Sequence, residues 1–188
     1  MDLRRAGRRL EMLTLSWNVI GVVVLVIAAW NAKSVALAGF GLDSVVEIGA
    51  STVVLWELAD VAQRRQHTAL RLIGVAFIGL AIYLSVQSSV VLALDFHPHH
   101  SPLGIAWTAL TALCMFLLAH NKSRVGTALA NPVLIAEGHV TFIDGVLATS
   151  VLIGLLLNTL VGWWWADPLT GYVIVYYAVR EAHEALTK

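Results

Sequence analysis

The chain consists of long apolar runs separated by short polar segments. The runs lie at about 12–30, 35–57, 70–94, 103–119, 133–160 and 168–185. Each is close to the roughly 20 apolar residues that a helix needs to cross the hydrocarbon core of a bilayer. The pattern predicts an all-α, polytopic membrane protein with six transmembrane helices in one domain, residues 1–188, after a basic N-terminal arm, residues 1–10.

Composition excludes the soluble class. Hydrophobic residues make up 59% of the chain and charged residues 13%, whereas soluble domains average about 45–50% and about 25%. The predicted partner is therefore a lipid bilayer, and the expected location is a bacterial inner or plasma membrane. A formal net charge of zero gives no indication of a nucleic-acid partner. The single cysteine, Cys114, excludes a disulfide framework and a CxxC metal site.

The placement of Lys and Arg predicts the orientation. With six spans, 11 of the 12 basic residues fall on the side that holds the N-terminus, and Lys33 alone falls on the other. Lys122 is assigned here to a cytoplasmic link at 121–131. Because basic residues concentrate in cytoplasmic segments of membrane proteins, both termini are predicted to be cytoplasmic.

Four carboxylic acids interrupt the apolar runs, and they are the candidates for function. Asp43 and Glu47 lie in the second predicted helix, and Glu137 and Asp144 lie in the fifth. A charge at the bilayer centre costs several kcal/mol, so such residues usually face a partner or a watery cavity.

The spacing of Asp43 and Glu47 places both carboxylates on one helical face, one turn apart. Two ionised acids at that separation repel each other and lose hydration. A bound divalent cation removes both penalties, and a shared proton removes part of them, so the pair suits a site that exchanges metal for protons. The alternative is a pair that is hydrogen-bonded to polar groups on neighbouring helices.

The fifth helix offers a second set of candidate ligands. Glu137 and Asp144 are two turns apart and therefore roughly share a face. His139 lies about 140° around the helix from Asp144, so metal binding competes with packing for this residue. For Glu137, a structural or gating role competes evenly with ligation.

The remaining motifs are weaker. The loop histidines His97, His99 and His100 are either loose metal ligands or solvated side chains. Asn18 in the first helix is predicted to form an interhelical hydrogen bond. No GxSxG, HExxH or comparable set of nucleophile and base lies within the spans, so we predict that the chain is not an enzyme.

Three segments resemble the cation diffusion facilitator family. The run from Ser34 to Glu47 is similar to that family's second helix, with Asp43 and Glu47 at its two ligand positions. The segment from Ala136 to Asp144 is similar to its fifth-helix pattern Ala-(Asp/Glu)-x-x-His-x-x-x-Asp, and Trp165-Ala166-Asp167-Pro168-Leu169 resembles the start of its sixth helix. The chain departs from the pattern in two places, because Val140 stands where the family has its histidine and Phe40 stands where it has an aspartate.

The resemblance implies a short, transmembrane-only form without the family's C-terminal cytoplasmic domain. Such a protein exports a divalent transition-metal cation in exchange for protons by alternating access, as a homodimer. Asp43, Glu47 and Asp144 would be the core metal ligands, completed by Glu137 or His139. Zinc is the family default, while a carboxylate-rich site also suits manganese, iron(II) or cobalt. The alternative function is a non-transporting metal-binding or regulatory membrane subunit.

Overall fold

A computed structural model describes residues 3–32, 34–58, 66–94, 99–163 and 165–187. In these ranges the chain folds into six α-helices and no strand. The helices are α1 (Leu3–Ala32), α2 (Val35–Leu58), α3 (Gln66–Ala93), α4 (Pro102–Leu129), α5 (Pro132–Leu160) and α6 (Ala166–Thr187). The all-α prediction is therefore confirmed.

Five of these helices, α1 to α5, are long and apolar enough to cross a membrane. The helix α6 forms where the sequence predicts it, but its role as a sixth span stays a prediction. The cytoplasmic position of the two termini also stays a prediction.

Local signals explain where the central helices begin and end. Ser101 precedes α4, and its hydroxyl accepts a hydrogen bond from Gly104 N. Asn131 precedes α5, and its side chain accepts a hydrogen bond from Leu134 N at 2.8 Å. Both helices have proline in the first turn, where the missing N–H costs no hydrogen bond. Between the two helices Ala130 adopts a left-handed conformation, with φ of 49°, and this sharp turn makes α4 and α5 an antiparallel hairpin.

The helices pack mainly in three pairs, α1 with α2, α3 with α6 and α4 with α5. The pairs also contact one another, through α1 with α4, α5 with α6, α2 with α3 and α2 with α5. In the most apolar stretches of α2 and α5, 59% and 56% of the residues are buried, against 28% in α1. The two helices that carry the predicted acids are therefore the most enclosed of the candidate spans.

The outer surface of the bundle is apolar. On α1, for example, Val19, Ile20 and Val23 are each more than half exposed. A soluble monomer rarely exposes contiguous apolar patches of this kind, whereas a bilayer covers them. Trp163 and Trp165 are also exposed, and their rings stack with centroids 5.2 Å apart.

Two helices extend beyond the predicted segments. The helix α1 begins at Leu3, so residues 3–10 of the predicted basic arm are helical. The helix α4 continues to Leu129, beyond the predicted span 103–119. Lys122 was assigned to a cytoplasmic link, and this assignment is wrong: its side chain is 0% exposed inside the bundle. The physical reason is that buried carboxylates surround its ammonium group, so the charge does not need water.

Some predictions fall on parts that lie outside the described residues. These are His97 of the loop histidines and Lys33, the one basic residue predicted on the side opposite the N-terminus. His99 and His100 are described: both are exposed, and the backbone N–H of His99 donates to the carbonyl of Ala32 at 3.0 Å.

Candidate functional site

The acids of α2 and α5 meet inside the bundle. Asp43 and Glu47 are 3% and 2% exposed, and Asp144 is 3% exposed. The carboxyl group of Asp144 lies near those of both Asp43 and Glu47 and interacts with them electrostatically. The spacing of four residues on α2 places its two acids on the face toward α5, so one acid of α5 meets both.

These three acids have oxygen atoms that no donor satisfies. Among the described residues, no N–H or O–H group donates to Oδ2 of Asp43, to Oε2 of Glu47 or to either carboxyl oxygen of Asp144. Carboxyl groups in contact attract one another only when a proton or a cation lies between them, because two carboxylates repel. The arrangement can therefore hold protons or a cation in a place that water does not reach.

A second buried cluster lies next to the first, and Lys122 is at its centre. The ammonium group of Lys122 donates to Glu11 Oε2 and to Glu137 Oε1, both at 3.1 Å. It also donates to the hydroxyl of Thr141 at 2.9 Å. Lys122, Glu11, Glu137 and Thr141 are all 0% exposed. We call the three oxygen-bearing groups around the ammonium the lysine cage.

Thr141 joins the lysine cage to the acids of α2. Its hydroxyl accepts from Lys122 and donates to Glu47 Oε1 at 2.9 Å. Ser51 adds a donor on the other side, with its hydroxyl 3.2 Å from Glu137 Oε1. The result is a continuous buried polar chain across four helices, which we call the polar chain: Glu11, Lys122, Glu137, Thr141, Glu47, Asp144 and Asp43.

Glu137 and His139 lie in different surroundings from the other predicted ligands. Glu137 is paired with Lys122. His139 is half-buried and lines a cavity of about 70 Å³ with side chains of α3 and α6, among them Leu70, Phe77 and Glu184. Val140, where the family resemblance expects a histidine, packs in the hydrophobic core.

No three His, Cys, Asp or Glu side chains in the described part of the chain are arranged as a ready metal-coordinating cluster. Asp43, Glu47 and Asp144 are buried close to one another, but as placed they do not form such a cluster. Binding of a metal ion by these three groups would require their carboxyl groups to turn.

Sequence reasoning missed Glu11 and Lys122, although a signal for both was present. The buried face of α1 contains Gly7, Glu11, Thr14 and Asn18, which recur at the helical spacing of three and four residues. The buried face of α4 follows the same spacing through Thr111, Met115, Ala119 and Lys122. Each charged residue therefore continues an inward stripe of its helix.

Asn18 also lies on the buried stripe of α1, as an inward polar residue. Its side-chain amide donates to the backbone carbonyl of Thr14 at 3.2 Å, within its own helix. The expected hydrogen bond from Asn18 to another helix stays a prediction.

The helices α1 and α4 contact each other through aromatic side chains. The rings of Trp17 and Trp107 stack with centroids 5.0 Å apart, and the Trp17 indole donates to the hydroxyl of Thr111 at 3.2 Å. These contacts attach α1 to α4.

Comparison with known proteins gives a distant likeness. No protein-family model matches the chain. Transmembrane protein 163 of Xenopus laevis is 26% identical over 188 aligned positions, which cover 92% of this chain and 66% of that relative. The chain thus spans slightly less than two thirds of the length of the relative. The likeness and the five apolar helices agree that this is a multi-pass membrane protein.

Proposed function

We propose that the chain is a secondary transporter that carries a divalent transition-metal cation across the membrane in exchange for protons, by alternating access. One observation carries the proposal: three buried carboxyl groups of α2 and α5 lie together, and several of their oxygens have no donor among the described residues. Carboxyl groups inside a membrane helix that lack a counter-charge mark ion and proton pathways.

The contact between the acids corresponds to the proton-loaded form in this proposal. Asp144 shares protons with Asp43 and Glu47, and the site is then close to neutral and stable in apolar surroundings. Arrival of a divalent cation displaces these protons, because its charge replaces theirs. Turning of the carboxyl groups around the cation accompanies the change of access from one side of the membrane to the other.

The finer parts of the proposal come from the family resemblance. Export as the direction, zinc as the default cation and the homodimer all rest on the three matching segments. Carboxylates as the only ligands also suit manganese, iron(II) or cobalt, which accept oxygen ligands readily. His139 does not join the proposed ligand set, since it lies toward α3 and α6.

Transport into proteoliposomes tests the proposal. The vesicles contain a pH-sensitive dye and a metal indicator, and zinc, manganese, iron(II) and cobalt are added in turn. We expect the wild-type chain to move metal and protons in opposite directions, and Asp43→Asn and Asp144→Asn to abolish both signals. Asparagine keeps the size and most hydrogen bonds of aspartate but cannot exchange a proton.

Ser44→Ala is the matched control. Ser44 is buried next to Asp43 in the sequence, and its hydroxyl donates a hydrogen bond to the backbone carbonyl of Phe40 within the same helix. It should transport like the wild type. Normal transport by Asp144→Asn would show that the site is elsewhere. Metal binding without transport by the wild-type chain would favour a non-transporting metal-binding or regulatory subunit.

A further inference from the structure

We propose that Lys122 is a tethered cation that fills a second cation-binding site, the lysine cage, and so confines free cations to the acids of α2 and α5. The proposal goes beyond the transport function, because it concerns binding at Glu11, Glu137 and Thr141. The occupant that the cage would accept without the lysine is a divalent cation that prefers oxygen ligands, such as Mn²⁺.

The ammonium group of Lys122 has a full set of partners. It has three N–H donors, and three oxygens from α1 and α5 accept them at 2.9 to 3.1 Å. The lysine enters from a different helix, α4. A cation held by oxygens from several helices, with no exposed surface, occupies the position that a bound metal ion has in an all-protein site.

The charge of the cage suits a divalent cation better than an ammonium group. Glu11 and Glu137 bring two carboxylates, and Lys122 neutralises one. The second oxygen of each carboxylate, Oε1 of Glu11 and Oε2 of Glu137, is buried and accepts no hydrogen bond from the described residues. The cage therefore has oxygens and negative charge beyond those that the ammonium uses. A hard divalent cation prefers several oxygen ligands, so it would use this surplus.

Occupation by Lys122 has a consequence for the neighbouring acids. Thr141 has one hydroxyl proton, and it points to Glu47 because the oxygen accepts from Lys122. The lysine thus fixes Glu47 Oε1 through Thr141 while it keeps the cage closed to free ions. Because Lys122 occupies the cage, the acids of α2 and α5 are the site that remains for free cations.

The experiment measures Mn²⁺ bound to the purified full-length chain by equilibrium dialysis and by calorimetry. All variants contain Asp43→Asn and Asp144→Asn, so that the first site does not contribute. We expect that no Mn²⁺ binds in this background, and that addition of Lys122→Met produces binding of one Mn²⁺ per chain. The ion should also raise the thermal unfolding temperature of the Lys122→Met chain.

Two controls separate the cage from other effects. Lys122→Arg keeps the positive charge and should bind no Mn²⁺. Glu11→Gln added to Lys122→Met removes half of the negative charge of the cage and should weaken binding at least tenfold.

A folded Lys122→Met chain that binds no Mn²⁺ would overturn the proposal and leave Lys122 a structural ion pair. The same conclusion follows if Lys122→Met fails to fold both with and without Mn²⁺ during purification, since a cage that accepts the ion is stabilised by it. Equal binding with and without Glu11 would also overturn it. Because the readout is binding in a background without the first site, none of these results bears on the transport proposal.

Discussion

Removal of the charge of Lys122 should destabilise the bundle far more than removal of a surface charge. At 3.1 Å, the attraction of two unit charges is about 5 kcal/mol at an effective dielectric constant of about 20. Desolvation of both groups offsets part of this attraction. Mutations that break a buried pair cost about 3–5 kcal/mol, because they leave a buried charge without a partner. We expect Lys122→Met to lower the free energy of unfolding by about 3–5 kcal/mol.

The double variant Lys122→Met/Glu137→Gln should lose less stability than the sum of the two single variants. The reason is that Lys122→Met leaves Glu137 without its cation and Glu137→Gln removes one of the two acids paired with Lys122, whereas the double variant contains neither member of this pair. The difference, which is the coupling energy, should be about 2–3 kcal/mol. Unfolding by denaturing detergent in mixed micelles, followed by the fluorescence of the tryptophans, measures all four chains.

The exposed pair of Arg180 and Glu184 is the matched control. Its atoms are 3.2 Å apart, almost the same as in the buried pair, but its side chains are 58% and 39% exposed. Surface pairs at this helical spacing contribute about 0.3–0.5 kcal/mol. A coupling energy for Lys122 and Glu137 that is no larger than the one for this control would refute the reasoning, since burial would then not strengthen the interaction.

Three further substitutions test other parts of the bundle in the same unfolding assay. Thr141→Val removes the link of the polar chain and leaves a Glu47 oxygen without its donor, so it should cost about 1–3 kcal/mol, while Thr141→Ser should cost less. Gly126→Ala would place its Cβ within 2.9 to 3.2 Å of the start of α5, mostly of backbone, and should cost about 1–3 kcal/mol; Gly49→Ala, with open space around it, should be neutral or stabilising. Ser101→Ala removes the N-cap of α4 and should cost about 1 kcal/mol.

Most of the helical architecture could be predicted because its signals are local. An apolar run of about 20 residues forms a helix in a bilayer, because a helix satisfies the hydrogen bonds of all its backbone groups without water. The contact between Asp43 of α2 and Asp144 of α5 was also within reach, since helical spacing places the acids of α2 on one face. The partner face had to be inferred from the family resemblance, because spacing within a helix does not indicate which helix lies opposite.

The lysine cage could not be predicted in the same way, because its partners are far apart along the chain. Lys122 and Glu11 are separated by 111 positions. A lysine next to Asn121 and Ser123 is typical of a cytoplasmic link, and the rule on basic residues then assigned it there. The helical stripe that continues through Ala119 to Lys122 opposes this interpretation. Such a stripe indicates which face of the helix is buried, but it does not indicate which charged residues of other helices lie opposite.

The charges of the buried side chains favour the proposed exchange. Among the described residues, the buried acids outnumber the buried bases by five to one: the acids are Glu11, Asp43, Glu47, Glu137 and Asp144, and the base is Lys122. Four negative charges in an apolar interior cannot persist without a counter-charge, so added protons or cations must neutralise them. In the proposed exchange, two protons leave for each divalent cation that enters, and the interior keeps the same total charge. Lys122 cannot take part in this exchange, because it is covalently attached. A bundle with one fixed cation and three acids at the proposed exchange site therefore suits the exchange of protons for a divalent cation.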